Sequence, residues 1–315
     1  MIKRALVLCM LLAAVFTMAG CGPDSAPEPM DNEIGHTGIR VYPELVKVDL
    51  EYYSDTLSFP LIFVSDRKLG TDEIQFKGLK GENTDYFRKT TMTLRQIPNV
   101  TEEEINGSYL YAFSVKSFID GNYFSDRNVQ PPDVWEITID AVVAEISGTE
   151  YTIPLQCPVK YHYNEQYNDV DGNYMYGPIT VFTWWLSESY SASIHNYEGG
   201  IFLKDFSFSC FLEAEDVYLL YDDNLVGGLD ATASYEIPQR VQEEDSRAWV
   251  YFTPVPSGET ELTEFDYILC TSILSYSMED NDAVYNMRFP FNAQGIVDRQ
   301  SAENFLSFIA GEQAE

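Results

Sequence analysis

The stretch Trp135-Glu136-Ile137-Thr138-Ile139-Asp140 alternates apolar and polar side chains without a break, and Val46-Lys47-Val48-Asp49-Leu50-Glu51-Tyr52 does the same. A period of two puts all the apolar side chains on one face of an extended strand and the polar ones on the other. This is the pattern of an antiparallel strand with one face in a core and one in water. Tyr, Phe, Val and Thr, which suit a pleated surface, abound throughout the chain. Turn signals part the runs, among them Ser147-Gly148, Asp120-Gly121-Asn122, Gly199-Gly200 and Gly227-Gly228. Crossover helices, which a parallel α/β sheet needs, are missing from the pattern. The expectation is an all-β fold of stacked sheets.

The body reads as a duplication. Tyr52-Tyr53 falls on Trp184-Trp185 at a spacing of 132 residues, and at the same spacing Trp135, Ile137 and Ile139 fall on Tyr267, Leu269 and Thr271. Ile74 and Phe76 fall on Phe206 and Phe208, and Leu155, Cys157 and Val159 on Met287, Phe289 and Phe291. From Ile97 to Val115 the spacing is 140, and six of 19 positions are identical there. Two loop changes of eight residues reconcile the spacings (140 − 132 = 8), and loops absorb such insertions at little cost. The sequence thus predicts two tandem antiparallel β-sandwich domains, 39–166 and 173–296, with a linker at 167–172. With roughly seven strands each, the domains resemble immunoglobulin-like sandwiches.

Helical signals are few. Thr101 and Glu104 have capping-box spacing for one short turn. Ser301 to Ala310 carries Phe305, Leu306, Phe308 and Ile309 and stops before Gly311, which predicts a short C-terminal helix, within 297–315, docked on the second domain.

At the other end, Lys3 and Arg4 precede an apolar run from Ala5 to Phe16. That run is too short to span a bilayer, which takes about 20 residues, but it has the build of a secretory signal. Ala19-Gly20 before Cys21 resembles the lipobox of bacterial lipoproteins, although Met18 stands where that family usually has an aliphatic residue. The resemblance implies removal of residues 1–20, a lipid on Cys21 and an extracytoplasmic protein anchored to the cell membrane. Residues 21–38, rich in Pro and small or acidic side chains, read as a flexible tether.

The chain has 315 residues, with 19 Lys plus Arg against 50 Asp plus Glu, for a net charge of −31. Loss of Lys3 and Arg4 with the signal would take it to 17 − 50 = −33. Phosphate repels such a body, which argues against nucleic acid as a partner and against direct binding to anionic lipid. The membrane is then reached through the N-terminal lipid alone.

Three sets of residues are candidates for chemistry. Adjacent strand residues face opposite ways, so one ring of Tyr52-Tyr53 and one of Trp184-Trp185 should point out of its core, where it could stack on a sugar or pack on a protein. Asp169, Asp171 and Asn173 offer closely spaced oxygens for calcium. A helix–loop–helix calcium loop would need an acid at Tyr167 and Glu at Pro178, however, and a polar hinge loop is the favoured reading. Cys210 and Cys270 invite a bond between sheets, but alignment puts Cys270 with Thr138 on a polar face while Cys210 shares the inward parity of Phe206 and Phe208. Cys157 reads as a small core residue. Gly-x-Ser-x-Gly, His-Glu-x-x-His and glycine-rich phosphate loops do not occur. The expected role is non-catalytic binding or spacing at the envelope, with glycan binding through exposed aromatics as the alternative and a carboxylate-dependent hydrolase behind it.

Overall fold

In a computed structural model the described residues are 34–312, apart from 36, 71, 165–178, 182–189, 196–200, 222–233, 241–246, 259 and 279–280. The first copy supplies β1 (Ile39–Tyr42), β2 (Val46–Tyr52), β3 (Thr56–Ser65), β4 (Ile74–Glu82), β5 (Phe87–Arg95), β6 (Glu104–Ile105), β7 (Ser108–Ile119), β8 (Trp135–Ile146) and β9 (Thr149–Tyr163). The second supplies β10 (Ile179–Val181), β11 (Tyr190–His195), β12 (Ile201–Phe208), β13 (Leu212–Tyr221), β14 (Ser234–Glu236), β15 (Gln239–Arg240), β16 (Arg247–Pro256), β17 (Tyr267–Met278) and β18 (Asn281–Gln294). Two α-helices, α1 (Tyr123–Asp126) and α2 (Arg299–Glu312), and two single-turn 3-10 helices, Pro43–Leu45 and Thr84–Tyr86, complete the elements of the described residues.

The first copy pairs its strands in the orders β1-β3-β7-β5 and β4-β8-β9-β2. These are the A-B-E-D and C-F-G arrangements of an immunoglobulin sandwich. The leading strand is split between the sheets, since β1 runs antiparallel to β3 and β2 parallel to β9. The second copy repeats the plan. Strands β11-β16-β13 make one sheet and β12-β17-β18 the other, with β10 parallel to β18 as β2 is to β9. The protein is all-β and mainly antiparallel, as the period of two predicts. Ser147 and Gly148 form the two-residue turn between β8 and β9, both at positive φ (51° and 83°), as a type I′ hairpin requires.

The copies share a sheet. One edge of β17 pairs with β12 from Ser272 to Met278, and the same strand pairs with β2 of the first copy from Tyr267 to Cys270. Its side chains divide accordingly: Ile268, Cys270 and Leu274 enter the second core, while Tyr267 and Leu269 enter the first. Glu33–Glu315 is one compact unit. Strands β1–β9 precede residue 166 and β10–β18 follow 173, but a continuous ladder crosses from one set to the other. The linker predicted at 167–172 lies outside the described residues.

Several expectations are corrected. Cys270 does not point outward: it is 0% exposed. A bulge accounts for this. In β8, Ile139 pairs with Val159 and Ala141 with Pro154, leaving Asp140 opposite the stretch Leu155–Pro158. The β17–β18 ladder has no such break between Tyr267 and Ser277. Val159 and Phe291 are aligned residues, and their cross-strand partners are Ile139 and Cys270. Cys270 therefore matches Ile139, not Thr138, and inherits its inward face. Cys157 falls within the bulged stretch, which leaves it only half-buried.

The C-terminal helix docks mainly on the first copy. Ala302, Phe305, Leu306 and Ile309 pack against Ile62, Val64, Leu110 and Ala112, with Phe265 and Ile296 from the second copy beside them. The Tyr42 and Phe305 rings meet edge to face at 5.1 Å. The runs Pro60–Val64 and Leu110–Phe113 are apolar at every position, so the outer face of β3 and β7 needs a cover and α2 provides it. The turn around Thr101 is not a capped helix. Thr101 Oγ1 accepts the Ile97 N–H at 2.8 Å, and Glu104 opens β6. The end of the predicted tether is also folded: Ile34 is buried in the first core and its N–H donates to the Ile39 carbonyl at 2.8 Å. Gly35 at φ 60° makes the reversal, a conformation glycine adopts without strain.

Candidate functional site

Where the second copy lies against the first, a cleft of about 430 Å³ opens. Alternation determines what it presents. On β18, Phe289, Phe291 and Ala293 enter the second core, so Pro290, Asn292 and Gln294 face the other way, into the cleft. From the first copy come Tyr52 of β2, Ser58 of β3 and Ser114 of β7.

The Tyr267 hydroxyl donates to the Ser58 carbonyl at 3.0 Å, tying one wall to the other. The hydroxyls of Ser58 and Ser114 are 2.9 Å apart and share a hydrogen bond. Arg95 donates to the Gln294 side-chain oxygen. Asn292 holds the Tyr267 hydroxyl in a side-chain hydrogen bond, while its Oδ1 is buried without a partner. Burial raises both the Tyr52 and the Tyr267 hydroxyls above the ordinary tyrosine range, so both stay neutral donors. Tyr52 is half-buried and packs against both cores.

Among the described lining residues Arg95 carries the only charge. In a chain of net charge −31, the cleft thus offers hydroxyls, amides, the rings of Tyr52, Phe59 and Tyr267 and one cation, with no carboxylate among those residues. Such a surface can exchange hydrogen bonds with a neutral or singly anionic polar ligand and set a ring against its apolar face. Its described lining holds no acid–base pair of the kind hydrolysis by two carboxylates requires.

Of the aromatic candidates, Tyr52 lines this cleft. Tyr53 faces away from it, with its ring 5.4 Å from that of Tyr163, at the edge of a cluster that runs through Trp135 and Phe124. Trp184, Trp185, the calcium candidates Asp169, Asp171 and Asn173, and the lipidation candidate Cys21 lie outside the described residues. Sequence reasoning missed Arg95, Asn292 and Gln294. The outward parity of Asn292 and Gln294 was readable from β18, but the wall that faces them comes from the other copy. No helix among the described residues is long and apolar enough to cross a membrane.

No protein-family model matches the chain, and no curated protein matches it by sequence. Among solved structures, the Enterococcus faecalis MSCRAMM ACE, described as binding its ligands by a collagen hug, is similar at 9% identity over 79% of this chain and 93% of its own, with a TM-score of 0.25. The collagen adhesin of S. aureus is similar at 9% identity over 81% of this chain and 91% of its own, also with a TM-score of 0.25. The sialic acid binding region of a Streptococcus sanguinis adhesin is similar at 10% identity over 82% of this chain and 77% of its own, again with a TM-score of 0.25. Likeness at this level assigns neither a family nor a ligand.

Proposed function

We propose that this chain is a non-catalytic binding protein, held outside the cytoplasm by a lipid on Cys21, and that the cleft between its copies takes a short glycan or a similarly hydroxyl-rich ligand. The observation that carries the reading is the cleft's lining: neutral hydrogen-bonding groups, two tyrosines and a single cation in a chain with an excess of 31 acids. The buried, unpartnered Asn292 Oδ1 supports it, because an acceptor left unsatisfied costs about 1–3 kcal/mol and a ligand hydroxyl would recover that. A lipid anchor with a short acidic tether would present the cleft just off the membrane while charge keeps the body from anionic headgroups.

A glycan array probed with the whole chain tests the ligand. The expected result is binding that falls at least tenfold in Tyr52→Ala and Asn292→Ala, with folding unchanged by circular dichroism. Failure of the wild-type chain to bind any glycan, or binding that both variants retain in full, would overturn the glycan reading. The anchor is tested separately by fatty-acid labelling in cells. Label should be lost, and the chain should leave the membrane fraction, in Cys21→Ala.

A further inference from the structure

We propose that Cys210 and Cys270 form a disulfide in the folded protein, at the point where β17 changes neighbours. The ladder between β12 and β17 pairs Phe208 with Ser272 and continues one step further, with the Ser209 N–H donating to the Thr271 carbonyl at 2.9 Å. The next pair along is Cys210 and Cys270. Because ladder bonds alternate, that pair sits at a non-hydrogen-bonded position, where Cα atoms are about 4.5 Å apart and side chains lie closest. A disulfide spans Cα separations of roughly 4.4–6.8 Å. Both thiols are free, and that of Cys270 is in hydrogen-bonding contact with that of Cys210. On its other side the Cys210 Sγ–H points to the Asp49 carbonyl of β2 at 3.5 Å.

The two sulfurs differ in access. Cys270 is fully buried, and burial raises its thiol well above the ordinary range, whereas Cys210 is half-buried. Oxidation therefore starts at Cys210. Its deprotonated sulfur attacks a low-molecular-weight disulfide, the external S–S bond breaks, and one thiolate leaves and takes up a proton. The Cys270 sulfur, giving up its proton, then attacks Cys210 Sγ in the mixed disulfide and expels the second thiolate, which is protonated in turn. Two protein thiols are oxidised, one external disulfide is reduced to two thiols, and the protons balance. The product ties β12 to β17 beside Asp49, the Cα partner of Cys270 in β2.

The test treats the folded full chain with oxidised glutathione, alkylates it in denaturant and maps its peptides without reduction. The expected map contains a linked peptide with Cys210 and Cys270, and an alkylated Cys157. Cys157→Ser should keep the link, and Cys270→Ser should trap Cys210 as a mixed disulfide with glutathione. Alkylation of both Cys210 and Cys270 in the treated wild-type chain would overturn the proposal. So would a link from Cys210 to Cys157, its other cysteine neighbour.

Discussion

The Tyr267 hydroxyl donates to the Ser58 carbonyl at 3.0 Å, and this is a bond between copies: Tyr267 starts β17 in the second, and Ser58 lies in β3 of the first. Tyr267→Phe keeps the ring and removes the hydroxyl, with its bonds to the Ser58 carbonyl and the Asn292 side chain. A lost hydrogen bond of this kind costs about 0.5–1.5 kcal/mol, and more if the Ser58 carbonyl is left unsatisfied. A urea titration followed by tryptophan fluorescence should show one transition at lower urea. A change that splits the transition in two would contradict the coupling of the copies.

Asp266 is 3% exposed and accepts the Thr263 N–H at 2.8 Å. Burial pushes its carboxyl up to about 6, against about 3.9 in an unfolded chain. The folded state thus holds the proton more tightly. Its stabilising contribution is complete below pH of about 4 and is lost as pH rises through about 6. Asp266→Asn keeps the shape without the charge, and at pH 7 it should be more stable than the wild type by an amount on the order of 3 kcal/mol at most. The gap should close by pH of about 4. Urea midpoints that differ equally at every pH would rule this account out.

Phe305 anchors the C-terminal helix and is 1% exposed. Phe305→Ala should cost about 3–5 kcal/mol and raise hydrogen exchange in both Arg299–Glu312 and the outer face of β3. Asp298→Ala is the milder counterpart. Its carboxylate accepts the Ser301 N–H at 2.8 Å, and that bond holds it below the usual carboxylate range. Removing such a cap costs about 1 kcal/mol.

Gly81 sits at a break in the β4–β8 register with φ 149°, and a Cβ there would meet the Thr138 carbonyl oxygen at 2.0 Å. Gly81→Ala should lower the melting temperature by an amount matching several kcal/mol. Gly78→Ala in the same strand, where a Cβ meets nothing within 4 Å, should change stability by about 0.5 kcal/mol or less. Equal effects at the two sites would show that backbone clash is not what selects glycine at Gly81.

Side-chain alternation made the strands legible, and internal spacing made the doubling legible, because both are local. The spacing failed at Cys270, because the β8–β9 ladder breaks where Asp140 faces the longer β9 stretch Leu155–Pro158. The two hairpins end one residue out of step: Ile139 and its partner Val159 are 20 residues apart (159 − 139), Cys270 and its partner Phe291 are 21 apart (291 − 270). The seat of the C-terminal helix had a signal that passed unread: Leu61-Ile62-Phe63-Val64 is apolar on both faces, which a strand with one wet face has no reason to be. The cleft was least legible. Tyr52 stood out as half of a matched aromatic pair, but Arg95 and Asn292 are 197 residues apart (292 − 95) and meet only through packing between copies.

Because β17 lends alternate side chains to two interiors, neither half of this protein can be lifted out whole. A fragment ending near residue 166 would lose Tyr267 and Leu269 from its own centre, and a fragment starting near 173 would expose the strand edge that β2 now occupies. The protein must therefore be made, folded and turned over as one indivisible piece.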